Sequence, residues 1–254
     1  MIYDRELLLS PAKSTAVLDL WEVQRYGLDS YGDTDYVSVY GLRPAEWYAK
    51  GIRLMGRTAV ECTRDVLASA IGRDVAVLAA EVLRRRGVLI VDLFAGSGNT
   101  LYWLTRHIPE ARGLGFELDA DVFGLTRQNL AARGLPLEIL NTDYRAGLNE
   151  VSVDVDDLLI VFVAPPWGDA LDKTSGLDLR LTSPPIFEIV SLLSNTFQNR
   201  LLCVVQIYEV LNPESVAELT ACFDWSRSNI YRMAASGRNH GVFLGTKHWT
   251  PSAA

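Results

Sequence analysis

Cysteine and histidine are scarce in this chain, with three of each in 254 residues. Cys62, Cys203 and Cys222 are odd in number and far apart, and no C-x-x-C pair exists. Neither a disulfide framework nor a zinc site shared with His107, His240 and His248 is expected. The thiols read as reduced core residues, which fits a reducing cytoplasm. Glycine and proline, at 19 and 10, are too few for a low-complexity or disordered chain. Apolar runs are short: the longest, over 158–166, falls well below the roughly 20 residues of a membrane-spanning helix. Met1-Ile2-Tyr3-Asp4-Arg5-Glu6 places no basic stretch ahead of an apolar one, so no secretion signal is read there. Positive charge is also in deficit, 24 Lys and Arg against 31 Asp and Glu, for a net charge of −7. Binding to a long nucleic-acid duplex runs on a basic field and is not expected. Two phosphate-binding signatures are missing as well. Gly96-Ser97-Gly98 is followed by Leu101 where the dinucleotide pattern needs a third glycine, and no G-x-x-x-x-G-K loop occurs. NAD and ATP are therefore poor candidates.

What is present is the pattern of one α/β domain with an elaboration. Residues 1–64 are rich in aromatics (Trp21, Tyr26, Tyr31, Tyr36, Tyr40, Trp47, Tyr48) and show little periodicity beyond a short helix over 44–50. They read as an N-terminal, partly helical extension. The domain proper, 65–254, opens on helical spacing from Asp65 that closes on Arg84-Arg85-Arg86-Gly87, a cationic last turn with a glycine stop. Strand-like runs then alternate with helical ones. Strands are expected over 88–91, 113–116, 137–140, 158–163, 201–207, 230–233 and 242–246. Helices are expected over 101–107, 121–133 (stopped by Gly134), from Ser183-Pro184 to about Asn195, and after an Asn212-Pro213 cap. Such alternation predicts a doubly wound, Rossmann-like, mostly parallel sheet.

In such a sheet ligands bind beyond the carboxyl ends of the strands. The first four strands end in distinctive groups: Asp92-Leu93-Phe94-Ala95-Gly96-Ser97-Gly98-Asn99-Thr100, then Glu117, then Asp143, then Ala164-Pro165-Pro166-Trp167. Their intervals of 25, 26 and 21 residues each match one βα unit, so the four should converge on one cleft. The glycines allow a tight turn and close approach to a ligand. A carboxylate at the second strand end can accept both ribose hydroxyls of an adenosine ligand. Asp143 can accept from an adenine amine. Two prolines after a buried strand remove two N–H donors and fix φ twice, which leaves aimed carbonyls beside the stacking face of Trp167. Those carbonyls can take N–H bonds from a substrate amine and orient its lone pair.

Together these elements resemble the Rossmann-fold methyltransferases that use S-adenosylmethionine, a ligand without phosphates. They resemble more closely the trimethylguanosine synthase (RNA cap guanine-N2 methyltransferase) family. Trp21 with Gln24-Arg25-Tyr26-x-Leu28-x-Ser30 is similar to that family's opening segment, and Gly51-Ile52-Arg53-Leu54 to its G-I-K-L. Asp92-x-Phe94-x-Gly96-x-Gly98-Asn99-Thr100 resembles its D-x-F-C-G-x-G-G-N-T, one glycine shorter, and Pro165-Pro166-Trp167-Gly168 its P-P-W-G. Leu177-Asp178-Leu179-Arg180 through Ser183-Pro184 and Phe187-Glu188-Ile189 resemble the segment that follows. The resemblance implies S-adenosyl-L-methionine as cofactor, held through Asp92, Phe94, Ala95, Gly96, Gly98, Asn99, Thr100, Glu117, Leu118, Asp143 and Tyr144. It implies that Trp167 stacks on the acceptor base and that the Pro-Pro carbonyl receives its amine, with residues 1–64 contributing to the acceptor pocket. Ala164 stands where the family has Ser, Asn or Asp, and Arg57-Thr58-Ala59-Val60-Glu61 where it has S-V-T-P-E. Lys50, Arg53 and Arg57 can share one basic face or simply line a solvated helix surface.

The expected function is thus methylation of an amino nitrogen on a planar heterocycle, either a guanine-like base at an RNA end or a small metabolite. Ala164 motivates a different class, a noncatalytic S-adenosylmethionine-binding or partner-binding subunit. The same fold would also carry O- or C-methylation in small-molecule biosynthesis.

Overall fold

The computed structural model describes residues 2–80, 82, 87–172, 174–232 and 239–252. In chain order its elements are α1 (Arg5–Leu8), α2 (Leu20–Tyr31), α3 (Pro44–Ala49), α4 (Gly56–Glu61), α5 (Asp65–Ala79), β1 (Val88–Asp92), α6 (Asn99–His107), β2 (Arg112–Glu117), α7 (Ala120–Arg133), β3 (Glu138–Asn141), α8 (Tyr144–Glu150) and β4 (Leu158–Val163). A two-strand hairpin of β5 (Leu171–Asp172) and β6 (Gly176–Leu177) follows, then α9 (Ile186–Thr196), β7 (Arg200–Tyr208), α10 (Pro213–Thr220), β8 (Trp225–Tyr231) and β9 (His240–Lys247). The seven-stranded sheet runs β3-β2-β1-β4-β7-β9-β8. Its first five strands are parallel, and β9 is antiparallel to both β7 and β8. The doubly wound architecture follows from the alternation, because β4 is buried along its whole length, as a strand covered on both faces must be.

The core has two parts, one on each face of the sheet. Val88, Ile90, Phe162, Leu202 and Val204 pack with Leu101, Ile71 and Val75, and with Leu18, Tyr26, Tyr40 and Trp47 from the N-terminal segment. Leu89, Val91, Phe116, Val161 and Val205 pack with Leu148, Ile189, Leu193 and Leu219 on the opposite face. The aromatics of 1–64 thus enter the same core as the sheet. Trp47 is fully buried and spends its indole N–H on the carbonyl of Val37 at 3.0 Å.

Several expected boundaries move, each for a physical reason. The helix after Ser183-Pro184 begins at Ile186, with Pro185 at its N-cap. A proline disfavours the helical region for the residue before it, so Pro185 works against a helical Pro184. β8 begins at Trp225, ahead of the run read as a strand, because it is an edge strand whose Arg227 and Ser228 face water. Met233, the expected end of that strand, and the Arg84-Arg85-Arg86 turn lie outside the described residues. Gly134 ends α7 with φ 66° and Asn212 caps α10 through the Ser215 amide at 3.0 Å, as their positions predict. Cys62, Cys203 and Cys222 are free thiols, and burial pushes Cys62 and Cys203 up to about 12. Among the described residues no helix is long and apolar enough to cross a membrane.

Candidate active site

The sheet brings the four singled-out strand ends to one edge. At the end of β1, the amide of Leu93 donates to Phe162 on one side and that of Ala95 to Phe116 on the other, at 3.1 and 2.8 Å. These bonds carry the pairing past the strand end as far as Ala95 before Gly96 (φ 50°) and Gly98 (φ 70°) turn the chain into α6. Side chains with a Cβ strongly disfavour that left-handed region, which accounts for glycine at both positions. Thr126 on α7 donates its hydroxyl to the Gly96 carbonyl at 2.7 Å and holds the turn from above.

Glu117 is bonded directly to this turn. Its Oε2 accepts the amide of Gly96 at 2.9 Å, and its Oε1 accepts the amide of Asp119 at 2.8 Å. Each carboxylate oxygen keeps a further lone pair, the requirement for gripping two hydroxyls. Burial raises the Glu117 pKa above the usual carboxylate value, against the lowering effect of both amides and of Arg57. Leu118, immediately after it, is 70% exposed, an apolar side chain open to a planar ligand. Asp143 is at the end of the next unit, as expected, and also caps α8, accepting the Arg145 amide at 2.8 Å. Tyr144 is buried and packs its ring on Phe94 with centroids 5.3 Å apart, so it props Phe94. Asp92 is buried, accepts the Phe94 amide at 3.1 Å, and is pushed up to about 7 by burial, with Glu117 raising it further.

Asn99 and Thr100 directly follow the second glycine of the turn and open α6. Both are buried, and the Asn99 amide is committed inside the fold: its Oδ1 accepts the Tyr40 amide and its Nδ2 donates to the Thr63 carbonyl, each at 2.7 Å. The Tyr40 hydroxyl in turn donates to the Ser97 carbonyl. These residues fasten the N-terminal segment to the glycine turn. Asn129 makes a second fastening, with its side chain bonded to both the amide and the carbonyl of Arg53 at 2.9 and 2.7 Å. Of Lys50, Arg53 and Arg57, Lys50 is exposed and both arginines are engaged within the fold. The Arg53 guanidinium sits over the Tyr48 ring at 3.6 Å, and Arg57 reaches Asp119 at 3.0 Å and Glu61 at 3.5 Å.

At the fourth strand end Ala164 is half-buried, Pro165 buried and Pro166 exposed. The half-buried Trp167 ring stacks on His240 with centroids 5.5 Å apart and planes 19° apart, and Tyr208 stands edge-on to both. Motif reading missed His240 and Tyr208. The register Tyr208↔His240 unites them across the sheet from opposite ends of a long connection. The signal available was that the fifth parallel strand also ends here, in Gln206-Ile207-Tyr208.

The chain matches no protein-family model. It is 38% identical over 141 residues to the 4-amino-L-phenylalanine/4-methylamino-L-phenylalanine methyltransferase of Streptomyces pristinaespiralis, a match covering 54% of this chain and 43% of that protein. The chain thus spans less than half the length of this curated relative. Among solved structures, the MTase domain of METTL16 superposes with a TM-score of 0.53 at 11% identity, covering 74% of this chain and 70% of that one. The precorrin-6Y C5,15-methyltransferase of Geobacter metallireducens has a TM-score of 0.48 at 12% identity, covering 73% and 89%. With its strand order, the fold is that of the class I S-adenosylmethionine-dependent methyltransferases.

Proposed function

We propose that the chain is an S-adenosylmethionine-dependent methyltransferase that methylates the amino nitrogen of a small aromatic amine. The observation that carries this reading is the joint placement of the Glu117–Gly96 unit and the Pro165-Pro166-Trp167 turn on one edge of the sheet. When bound, the cofactor supplies a methyl already activated by a sulfonium, so no protein group has to generate an electrophile. The chain's work is binding, alignment and the exclusion of water.

Glu117 would take the ribose hydroxyls with its spare lone pairs, and Leu118 would cover one face of the adenine. Asp143 would accept the adenine amine. Asp92, Phe94, Ala95, Gly96 and Gly98 would line the rest, with Tyr144 behind Phe94 and with Asn99 and Thr100 holding the turn. On the acceptor side, the carbonyls of Ala164 and Pro165 would take an N–H, and Trp167, backed by His240, would stack on the ring. The amine class is supported by the relative, whose name describes methylation of an amino-substituted phenylalanine. The net charge of −7 supports a small acceptor over a polyanion. The resemblance to the cap guanine-N2 family directs the same chemistry to a guanine at an RNA end.

Ala164 favours a second reading, a noncatalytic S-adenosylmethionine-binding subunit, because the β4 end presents no side-chain acceptor. One experiment separates these readings. The protein is incubated with S-adenosylmethionine and either 4-amino-L-phenylalanine or a guanine-capped RNA oligonucleotide. S-adenosylhomocysteine is quantified and the methyl is located by mass spectrometry. N-methylated arylamine is the expected product. A methyl on RNA alone, or on carbon or oxygen, overturns the arylamine assignment, and cofactor binding without turnover supports the second reading.

A further inference from the structure

β4 carries no polar side chain, and along 201–208 β7 carries one amide, Gln206, between the buried residues Val205 and Ile207. A polar group in such a setting has to be bonded or used. Gln206 is half-buried, and its Oε1 accepts the Thr63 hydroxyl at 2.8 Å. That bond occupies one of the two acceptor positions on the oxygen.

The location is specific. Strand alternation puts Gln206 on the face of Leu202 and Val204, whose core includes the N-terminal segment, and Ala164 packs against that same core. β4 and β7 pair with Val163 opposite Val205, so one residue further Ala164 lies level with Gln206. The strand end that offers only main-chain carbonyls therefore has an amide oxygen beside it on the same face. Gln206 is also tied to the glycine turn, because the carbonyl of Thr63 accepts Asn99 Nδ2 at 2.7 Å, and Asn99 directly follows Gly98.

We propose that Gln206 is a positioning residue for the methyl acceptor. Its Oε1, held in place by Thr63, takes one N–H of the acceptor amine while a main-chain carbonyl at Ala164–Pro165 takes the other. With both N–H bonds drawn to carbonyl oxygens, the nitrogen lone pair projects out of their plane, toward the glycine turn. In the transfer that lone pair forms the N–C bond, the C–S electron pair remains on sulfur, and the proton of the resulting N-methylarylammonium passes to solvent. An amide oxygen from the next strand thus replaces the side-chain acceptor that position 164 lacks. This inference rests on the amine-methyltransferase reading above.

The test uses the arylamine probe of the preceding experiment and four proteins: wild type, Gln206→Leu, Gln206→Glu and Gln206→Leu with Ala164→Asn. Gln206→Leu is expected to lower kcat at least tenfold while its Kd for S-adenosylhomocysteine stays within twofold of wild type. Gln206→Glu, which keeps an acceptor oxygen, and the double variant, which moves one to β4, are each expected to recover at least a third of the lost kcat. If wild type turns over and Gln206→Leu keeps its kcat and KM within twofold, the amide is structural and the inference fails while the function stands. If wild type methylates no arylamine, the reading and the inference fail together. Should Gln206→Leu not fold, as judged by urea unfolding, Thr63→Val decides: a kcat drop of threefold or more supports the proposal, and a smaller drop overturns it.

Discussion

The amide of Gly96 donates to Oε2 of Glu117 at 2.9 Å, so the acid that ends β2 and the turn that ends β1 act as one unit. The acid braces the loop that the cofactor would lie against, and it uses only half of its lone pairs to do so.

Glu117→Ala removes the brace on the Gly96 amide and, on the proposed reading, the grip on two ribose hydroxyls. Charge-assisted hydrogen bonds of this kind are together worth on the order of 2–4 kcal/mol. Calorimetric titration with S-adenosylhomocysteine should show the Kd rising by about 30- to 1000-fold. Unchanged affinity would remove Glu117 from the site.

Asp92 sets an unusual pH dependence. Its folded pKa lies near 7, above the usual value of 3.8, so between about pH 4 and 7 the folded state binds more protons at this group than the unfolded chain. The stability it contributes is present below the unfolded pKa and is lost as the pH rises through the folded one. Asp92→Asn keeps an acceptor for the Phe94 amide without the titration. Urea midpoints across pH 4–8 should therefore fall less steeply with rising pH in the variant than in wild type, and identical slopes would place the titration elsewhere.

Asn99→Ala separates loop support from ligand contact. It strips the partners from a buried amide N–H at Tyr40 and a carbonyl at Thr63, a loss of about 1–3 kcal/mol for each such group. Urea denaturation should show a stability loss of about 2–6 kcal/mol for the two groups together, with the cofactor Kd changing far less than in Glu117→Ala. A Kd loss as large as that of Glu117→Ala, at unchanged stability, would make Asn99 a ligand contact.

Trp167→Ala should leave S-adenosylhomocysteine binding intact and weaken acceptor binding by about 1–3 kcal/mol through lost stacking. The readout is KM for the arylamine, expected to rise by about 5- to 150-fold. If the KM held steady while stability dropped, the Trp167–His240 stack would be core packing.

The parts of the site that were legible in the amino-acid sequence are those encoded within one βα unit. Gly96 and Gly98 were readable because a left-handed turn selects glycine locally, and Glu117 and Asp143 because unit length alone sets the interval between strand ends. Asn212-Pro213 and Gly134 mark their helix ends for the same local reason. The start of α9 at Ile186 is not legible from Ser183-Pro184 alone, because Pro185 works against a helical conformation in the residue before it. The start of β8 is not legible as an apolar run, because the adjacent Arg227 and Ser228, on opposite faces of this edge strand, are both exposed.

Short stretches of the chain were enough to set the alternation of strands and helices, the glycine turn, the acid one strand along and the proline-walled strand end. Each depends on residues near one another in the chain, through sterics and hydrophobic period. Tertiary structure alone decided what the N-terminal segment does, that Asn99 faces inward, that His240 lies under Trp167, and that Thr63 meets Gln206 across 143 residues of chain. Those contacts exist only once the sheet has closed and the first 64 residues have packed on its face, because a hydrogen bond between distant segments leaves no periodic trace in either of them.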